Sequence, residues 1–264
     1  MQNLSNQNEK KIVKSFLNNG YVIFNIEDKK KLNLIKTVLT NQIKSNLKIK
    51  KDSNKINIFD TFHNHIELKN LNEVRMSIYS SLNSKKDFLK NYFSLAEKHL
   101  EIICGNELAM QRKVNLSIQL PNDNSSLLPI HSDVWTGCSP FEVVLWVPLV
   151  DVYDTKSMFI FPKDINDRVY KRFSSYKNSQ VLFDKYKNKI NFLKLKFGQG
   201  IIFAHSVIHG NVVNDTNETR WSLNCRFKSL MSPYYTKDVA ETFIPISIKP
   251  ATDIGLEYEH PKIK

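Results

Sequence analysis

The sequence lacks the features of membrane proteins and of disulfide-rich secreted proteins. No stretch reaches the roughly 18 consecutive apolar residues that a membrane-spanning helix needs. The N-terminal segment also lacks the apolar core of a secretory signal. Only three cysteines occur in 264 residues, an odd number without metal-like spacing. They are Cys104, Cys138 and Cys225. We therefore expect a cytoplasmic protein with reduced thiols that does not interact with membranes.

Acidic residues are scarce relative to basic ones, 26 against 38, which gives a net charge of +12. One alternative is therefore a nucleic-acid-binding or demethylating protein, for which binding would depend steeply on salt. However, the lysines lie among asparagines and isoleucines, as at residues 29–31 and 48–51, without interleaved aromatic residues. Charge runs of this kind are usually solvated. We expect no nucleic-acid partner, but the positive charge would attract an anionic small-molecule substrate.

The chain length and a hydrophobic content of 41% fit a single domain with a sizeable core. Residues 1–105 are predicted to be mainly helical, with helices over 9–17, 28–47, 71–82 and 86–103 and a strand at 21–24. Residues 106–230 are predicted to form short strands, at 114–120, 143–149, 158–161, 192–197, 201–203, 207–213 and 221–227. A helical insertion is predicted at about residues 164–190. This order indicates an α+β protein built on a sandwich or jelly roll.

Two histidines and one aspartate form a candidate metal site. His131 and Asp133 are two residues apart, so an extended segment would point both side chains to one side. Either His205 or His209 could supply the third ligand, because both follow the same apolar strand. The Gly-Asn pair after His209 would let the backbone turn closely around a metal, whereas a buried His205 could orient a ligand or hydrogen-bond a substrate. Two imidazoles and one carboxylate can hold iron(II) and leave open coordination positions.

Arg220 lies eleven residues after His209 and opens a predicted strand. Ser222, Asn224 and Arg226 would share its face of that strand. A guanidinium binds a carboxylate through two parallel hydrogen bonds, and a hydroxyl two residues on can add another. A cationic stripe inside a barrel is costly unless an anion neutralises it. We therefore expect a dicarboxylate cosubstrate at this strand.

Together these motifs resemble the iron(II)/2-oxoglutarate-dependent dioxygenases of the phytanoyl-CoA hydroxylase-like branch. The matching segments are residues 20–24, the His131-x-Asp133 pair, residues 200–210 and Arg220. The stretch 131–151 is still more similar to oxygenases of sporadic bacterial carbohydrate-biosynthesis clusters. The resemblance covers about residues 113–230, matches the helical N-terminal third in outline, and does not extend past residue 231.

The resemblance implies a cupin-like double-stranded β-helix with flanking helices, in one domain over residues 1–264 with its jelly-roll core at 106–230. It implies iron(II) on His131, Asp133 and His209, with 2-oxoglutarate held by Arg220 and Ser222 and O2 as the other reactant. The products would be succinate, CO2 and a hydroxylated small molecule, a sugar or sugar-linked metabolite, with desaturation or ring closure as variants. A non-catalytic sugar-binding jelly roll that retains the metal is the alternative, although a binder would not need all four residues.

Further polar and aromatic residues are candidate substrate contacts. They are Gln119, Trp135, Lys156, Asn211 and Arg226. Gln119 belongs to a strictly alternating strand whose polar face lines a cavity or faces solvent. Lys156 would contact an anionic substrate. Glu142 and Trp146 are also plausible pocket residues, and Trp146 is expected to pack in the core because its strand is apolar throughout.

Overall fold

The computed structural model describes residues 6–47, 57–233 and 241–259, so the basic run at 48–51 lies outside the described residues. The α-helices are α1 (Gln7–Asn19), α2 (Lys29–Asn46), α3 (Leu68–Asn83), α4 (Phe88–Phe93), α5 (Glu97–Cys104), α6 (Lys163–Lys171), α7 (Ser179–Tyr186) and α8 (Pro250–Glu257). The strands are β1 (Tyr21–Asn25), β2 (Leu108–Gln111), β3 (Asn115–Gln119), β4 (Val143–Pro148), β5 (Phe159–Ile160), β6 (Asn191–Phe192), β7 (Gln199–Ala204), β8 (His209–Gly210), β9 (Arg220–Ser229) and β10 (Phe243–Ser247).

The first helix begins and ends where local chemistry dictates. The Asn6 side chain accepts hydrogen bonds from backbone N–H groups of the first turn, and Glu9 accepts in return from the Asn6 N–H, which forms a capping box. Gly20 ends the helix at φ 80°, a left-handed conformation that glycine adopts without strain. Asp28 caps α2 in the same way, by accepting from the Lys31 N–H at 3.0 Å. Both predicted helices are present; α2 agrees with the predicted range 28–47 within one residue, whereas α1 extends two residues beyond the predicted range 9–17 at each end.

The continuous helix predicted over 86–103 is wrong, because the chain breaks between α4 and α5. The Ser94 hydroxyl donates to the Asn91 carbonyl at 3.0 Å, and such local bonds compete with helix propagation. The break lets α4 pack against α2 while α5 packs against α1 and β9. In α4 the buried Tyr92 hydroxyl donates to the carbonyls of Leu145 and Leu223, which fixes α4 on β4 and β9.

The strands form two antiparallel sheets. The major sheet has the order β1-β7-β4-β9-β2-β10, with β3 also paired to β9, and the minor sheet has the order β6-β5-β8. In β9, Arg220 to Asn224 pair with β3, and Ser222 to Phe227 pair with β4 on the other side. The strands predicted at 158–161, 192–197 and 207–213 are reduced to two residues each, whereas β2, β10 and α8 were not predicted.

The core lies between the N-terminal helices and the major sheet. Its largest fully buried side chain is Trp221, which makes edge contacts with Phe59 and Phe62 at centroid distances of 5.3 and 4.8 Å. The indole N–H donates to the Phe59 carbonyl at 3.1 Å, so this buried polar group is satisfied. A second apolar cluster joins Phe159 of the minor sheet to α6 and α7. Each sheet is therefore covered on its outer face, and the space between the sheets is left for a site.

All three cysteines are free thiols, as expected. Within the described parts of the chain, none of the helices combines the length and the apolar character needed to cross a bilayer.

Candidate metal and cosubstrate site

A cavity of about 480 Å³ opens between the two sheets. Strands β3, β4, β7 and β9 of the major sheet contribute lining residues, and β8 of the minor sheet does so as well. The lining includes six of the predicted site residues, His131, Asp133, His209, Asn211, Arg220 and Arg226. Residues far apart in the sequence are therefore brought to one cavity of small-molecule size.

His131 and His209 lie side by side because their backbones pair. Each residue's N–H donates to the other's carbonyl at 2.9 Å, and the ring centroids are 4.3 Å apart. The Nδ1 of His131 is 2.7 Å from the Pro129 carbonyl, and that of His209 is 2.9 Å from the Val207 carbonyl. A carbonyl only accepts, so each Nδ1 carries the proton and each Nε2 keeps its lone pair for a metal.

Gly210 serves this pairing through close approach and not through a tight turn. A Cβ at Gly210 would lie 2.9 Å from the Phe159 ring and 3.1 Å from the backbone of Ile130.

His209, the residue before Gly210, has a pKa lowered to about 4 by burial and by the nearby His131. The His209 imidazole is therefore neutral at neutral pH, as a metal ligand must be.

Asp133 reaches the same cavity from the first residue of a short 3-10 helix. Ser132 before it is extended, so His131 and Asp133 point to one side as predicted. Burial alone would raise the pKa of Asp133, but His209, His205 and Arg226 together outweigh it and lower the pKa. The Arg226 guanidinium donates to Oδ1 at 2.9 Å. The carboxylate is thus ionised and held in place.

His205 lies behind Asp133 and does not line the cavity. Its Nε2 is 4.0 Å from the second Asp133 oxygen, and its Nδ1 is 3.3 Å from the Glu142 carboxylate. Both His205 and Glu142 are fully buried. The Ser132 hydroxyl donates to the His205 carbonyl at 2.7 Å, so the residue before the aspartate is also held against the segment that carries His205. His205 therefore contacts a candidate ligand, and Glu142 contacts His205 instead of the cavity.

Arg220 is buried, with 3% of its surface exposed, and it lines the cavity. One of its terminal nitrogens donates to the Ser117 hydroxyl at 3.1 Å, while its Nε has no partner among the described residues. Burial lowers the pKa of Arg220 to about 10, and no carboxylate in the described part of the chain offsets this. The buried Ser222 hydroxyl, two residues on, also lacks a partner in the described chain. A buried cation and a nearby hydroxyl, both with hydrogen-bond donors that have no partner in the described chain, are suited to bind an anionic ligand.

The candidate substrate contacts divide into two groups. Asn211 and Arg226 line the cavity, where the Asn211 carboxamide oxygen accepts from the Leu128 N–H at 2.5 Å. Gln119 is fully buried outside the lining, and its amide donates to the Val212 carbonyl at 2.7 Å. Trp135 packs against Tyr170 and Phe173 and does not line the cavity either. Gln119 and Trp135 therefore lie where they can support the cavity wall, but not where they would contact a bound substrate.

The structure corrects the expectation for Lys156. Its ammonium is fully buried away from the cavity and binds Asp60 at 2.8 Å and Glu218 at 2.6 Å. These partners lie 96 and 62 residues away in the sequence, so the local sequence could not identify them. Lys156 links the segment after residue 57 to the start of β9, which is a structural role.

Several residues of the cavity lining were not among the predicted site residues. Arg75 of α3 reaches the cavity, as does the loop segment 125–128. Asn115 and Asn224 also line it, and the Asn115 amide donates to Asn224 at 3.0 Å across β3 and β9. The alternating pattern of β3 indicated that its polar face is functional or solvated, and the cavity explains Asn115 and Ser117. Trp146 is both buried in the core and part of the cavity wall. No local signal distinguished Arg75 from other surface arginines.

Solved structures share this architecture. A non-heme monooxygenase, the ThoJ–Ni complex, has 14% identity and a TM-score of 0.58 over 90% of this chain and 84% of its own. EctD from S. alaskensis with bound Fe has 12% identity and a TM-score of 0.54 over 89% and 82%. HygX from Streptomyces hygroscopicus with nickel and 2-oxoglutarate bound has 9% identity and a TM-score of 0.52 over 88% and 90%. No family model matches the sequence, and no curated protein does.

At such low identity these likenesses establish the fold. The chain is an α+β protein with a double-stranded β-helix and flanking helices, which confirms the predicted fold class. In this fold the space between the two sheets is a natural place for a small-molecule site. The function must be argued from the site residues themselves.

Proposed function

We propose that this protein is an iron(II)/2-oxoglutarate-dependent dioxygenase that hydroxylates a small molecule. One observation carries the proposal: His131, Asp133 and His209 line a cavity that also holds a buried arginine, and this arginine has no carboxylate partner among the described residues. The metals named for ThoJ, EctD and HygX, and the 2-oxoglutarate named for HygX, support the same assignment.

The three candidate ligands fit iron(II). Each imidazole has its Nδ1 bonded to a carbonyl, which leaves one nitrogen lone pair per ring. Arg226 holds one oxygen of Asp133 and leaves the carboxylate ionised. Two nitrogen donors and one carboxylate bind iron(II) and leave positions open for other ligands. Bound there, iron would supply oxygen activation. The protein's part is to hold the ligands and to fix the tautomers of the histidines.

Arg220 would hold the far carboxylate of 2-oxoglutarate. Its guanidinium already lies in a water-poor wall of the cavity, where a charge-assisted hydrogen bond is strong. The Nε–H of Arg220 and the Ser222 hydroxyl have no hydrogen-bond partner among the described residues, so both could donate to a carboxylate. Oxidation of the cosubstrate would give succinate and CO2.

The remaining lining supports a hydroxyl-rich substrate, a sugar or sugar-linked metabolite. The cavity carries amides and hydroxyls from Asn115, Asn224, Ser125 and Ser126. It also has apolar walls from Met158 and Phe203. Polar donors and acceptors set among apolar walls are the arrangement that orients small polar ligands. A volume of about 480 Å³ suits one cosubstrate and a small substrate.

The test is succinate formation from 2-oxoglutarate in the presence of iron(II) and oxygen. Wild-type protein is expected to form succinate slowly without substrate, whereas Asp133→Ala is expected to lose most of this activity. Asp167→Ala is a matched control, since Asp167 is an exposed partner of Lys163 on α6. Equal succinate formation by wild type and Asp133→Ala would reject the iron site.

A further inference from the structure

The cavity contains more positive charge than the proposed reaction uses. In the proposed site, iron(II) and Arg220 together balance Asp133 and the two carboxylates of 2-oxoglutarate. Two guanidinium groups in the lining, Arg75 and Arg226, are left over. Among the lining residues that the structure describes, Asp133 is the sole carboxylate. The cavity would therefore remain doubly positive after iron and cosubstrate bind.

Two described acids lie near the cavity without lining it: buried Asp123 accepts from the Ser125 N–H, and Glu142 contacts His205. Glu142 raises the pKa of Arg226, but it acts in the same direction on the pKa of Lys228, so its charge is shared between two cations. The Arg226 guanidinium shares Asp133 with the iron site, so this carboxylate cannot neutralise both. Arg75 forms no ion pair among residues 6–47, 57–233 and 241–259. Its guanidinium donates to the neutral Asn72 carboxamide at 2.5 Å.

Arg75 differs from the other two cavity arginines in its origin. Arg220 and Arg226 come from β9 of the sheet, whereas Arg75 comes from α3 of the helical layer. It is half-buried, so its charge is partly desolvated yet remains accessible from the cavity. A planar guanidinium in this setting is well suited to bind an oxyanion through two parallel hydrogen bonds.

We infer that the substrate carries an oxyanion group, a carboxylate or a phosphate ester, and that Arg75 binds it. This inference rests on the proposed function, because the charge balance assumes iron(II) and 2-oxoglutarate. The anionic group would lie on the α3 side of the cavity, where Arg75 enters the lining. The overall positive charge of the protein favours the approach of such a substrate.

The experiment uses full-length protein loaded with Ni(II) and 2-oxoglutarate without oxygen, so that nothing turns over. Binding of 2-oxoglutarate is measured first by calorimetry, because its failure would count against the proposed function itself. Inorganic phosphate and acetate are then titrated in parallel at constant ionic strength, to distinguish a phosphate ester from a carboxylate. The variants are Arg75→Gln, Arg75→Lys and Arg168→Gln. Arg168 is an exposed arginine on α6, so this control loses the same charge outside the cavity.

Wild type should bind at least one of the two anions saturably. Arg75→Gln should weaken that binding roughly tenfold, the effect of losing one charge-assisted hydrogen-bonded contact at a half-exposed site. Arg75→Lys should lose less, and Arg168→Gln should match wild type. The inference is overturned if wild type binds neither anion, or if Arg75→Gln binds as tightly as wild type while 2-oxoglutarate binding is intact.

Discussion

Replacing Arg220 by methionine should have opposite effects on folding and on cosubstrate binding. The guanidinium is buried, none of the described carboxylates pairs with it, and burial lowers its pKa from 12.5 to about 10. A shift of this size corresponds to roughly 3 kcal/mol of cost for the charged form in the folded protein. Methionine keeps the apolar stem and removes the charge. The variant also loses the hydrogen bond from Arg220 to the Ser117 hydroxyl, which lowers the free energy of unfolding by about 1 kcal/mol.

The free R220M protein should therefore be more stable than wild type, by roughly 1–2 kcal/mol after these two effects are combined. The same variant should lose 2-oxoglutarate affinity. Two charge-assisted hydrogen bonds contribute about 3 kcal/mol or more, which is roughly a hundredfold in the dissociation constant. Ligand-induced stabilisation should fall accordingly.

The assay is urea unfolding of the metal-free protein, followed by calorimetric titration of 2-oxoglutarate into the Ni(II)-loaded protein. Arg226→Met is the matched control on the same face of β9. Burial alone would lower the pKa of Arg226, but the Asp133 carboxylate more than offsets it and raises the pKa. Removing this paired cation should destabilise the protein by about 1–3 kcal/mol, because a buried carboxylate loses its partner. The reasoning is refuted if R220M is less stable than wild type in the free state or binds 2-oxoglutarate with unchanged affinity.

Three further predictions follow from individual contacts. Lys156→Met should destabilise the protein by about 1–3 kcal/mol and leave 2-oxoglutarate affinity unchanged, because Lys156 binds Asp60 and Glu218 outside the cavity. Lys156 lowers the pKa of Glu218 below 4.5, so the stabilisation of the folded protein by this ion pair should be complete above about pH 5 and should decrease as the pH falls through the lowered pKa. A difference in urea unfolding between wild type and Lys156→Met that does not change with pH would contradict this. Glu142→Gln should weaken Ni(II) binding by about tenfold to a hundredfold, because Glu142 fixes His205 against Asp133, and the circular dichroism spectrum should change little. An unchanged Ni(II) affinity in calorimetry would show that this contact is dispensable. Gly210→Ala should lower Ni(II) affinity, because the added Cβ would press on Ile130 beside His131. Gly255→Ala should bind Ni(II) like wild type, because its Cβ would meet open space. A lower Ni(II) affinity for Gly255→Ala than for Gly210→Ala would contradict this reasoning.

Much of the fold could be predicted from the sequence because the relevant signals are local. Asn6, Gly20 and Asp28 mark helix ends through bonds to residues within a few positions. Apolar alternation located most strands of the major sheet. The break between α4 and α5 could not be seen in this way, because the apolar pattern continues through Leu95 and Ala96, and packing against different neighbours decides it.

The sequence by itself determined the chemistry of the candidate site: two imidazoles, a carboxylate two residues from one of them, and an arginine eleven residues past the other. Tertiary structure decided which side chains share a cavity. It put His209 in the cavity wall and His205 behind Asp133, paired Lys156 with distant acids, and brought Arg75 from the helical layer to the same space. The physical reason is that spacing along a strand fixes direction, whereas burial, charge partners and cavity walls depend on residues far away in the chain.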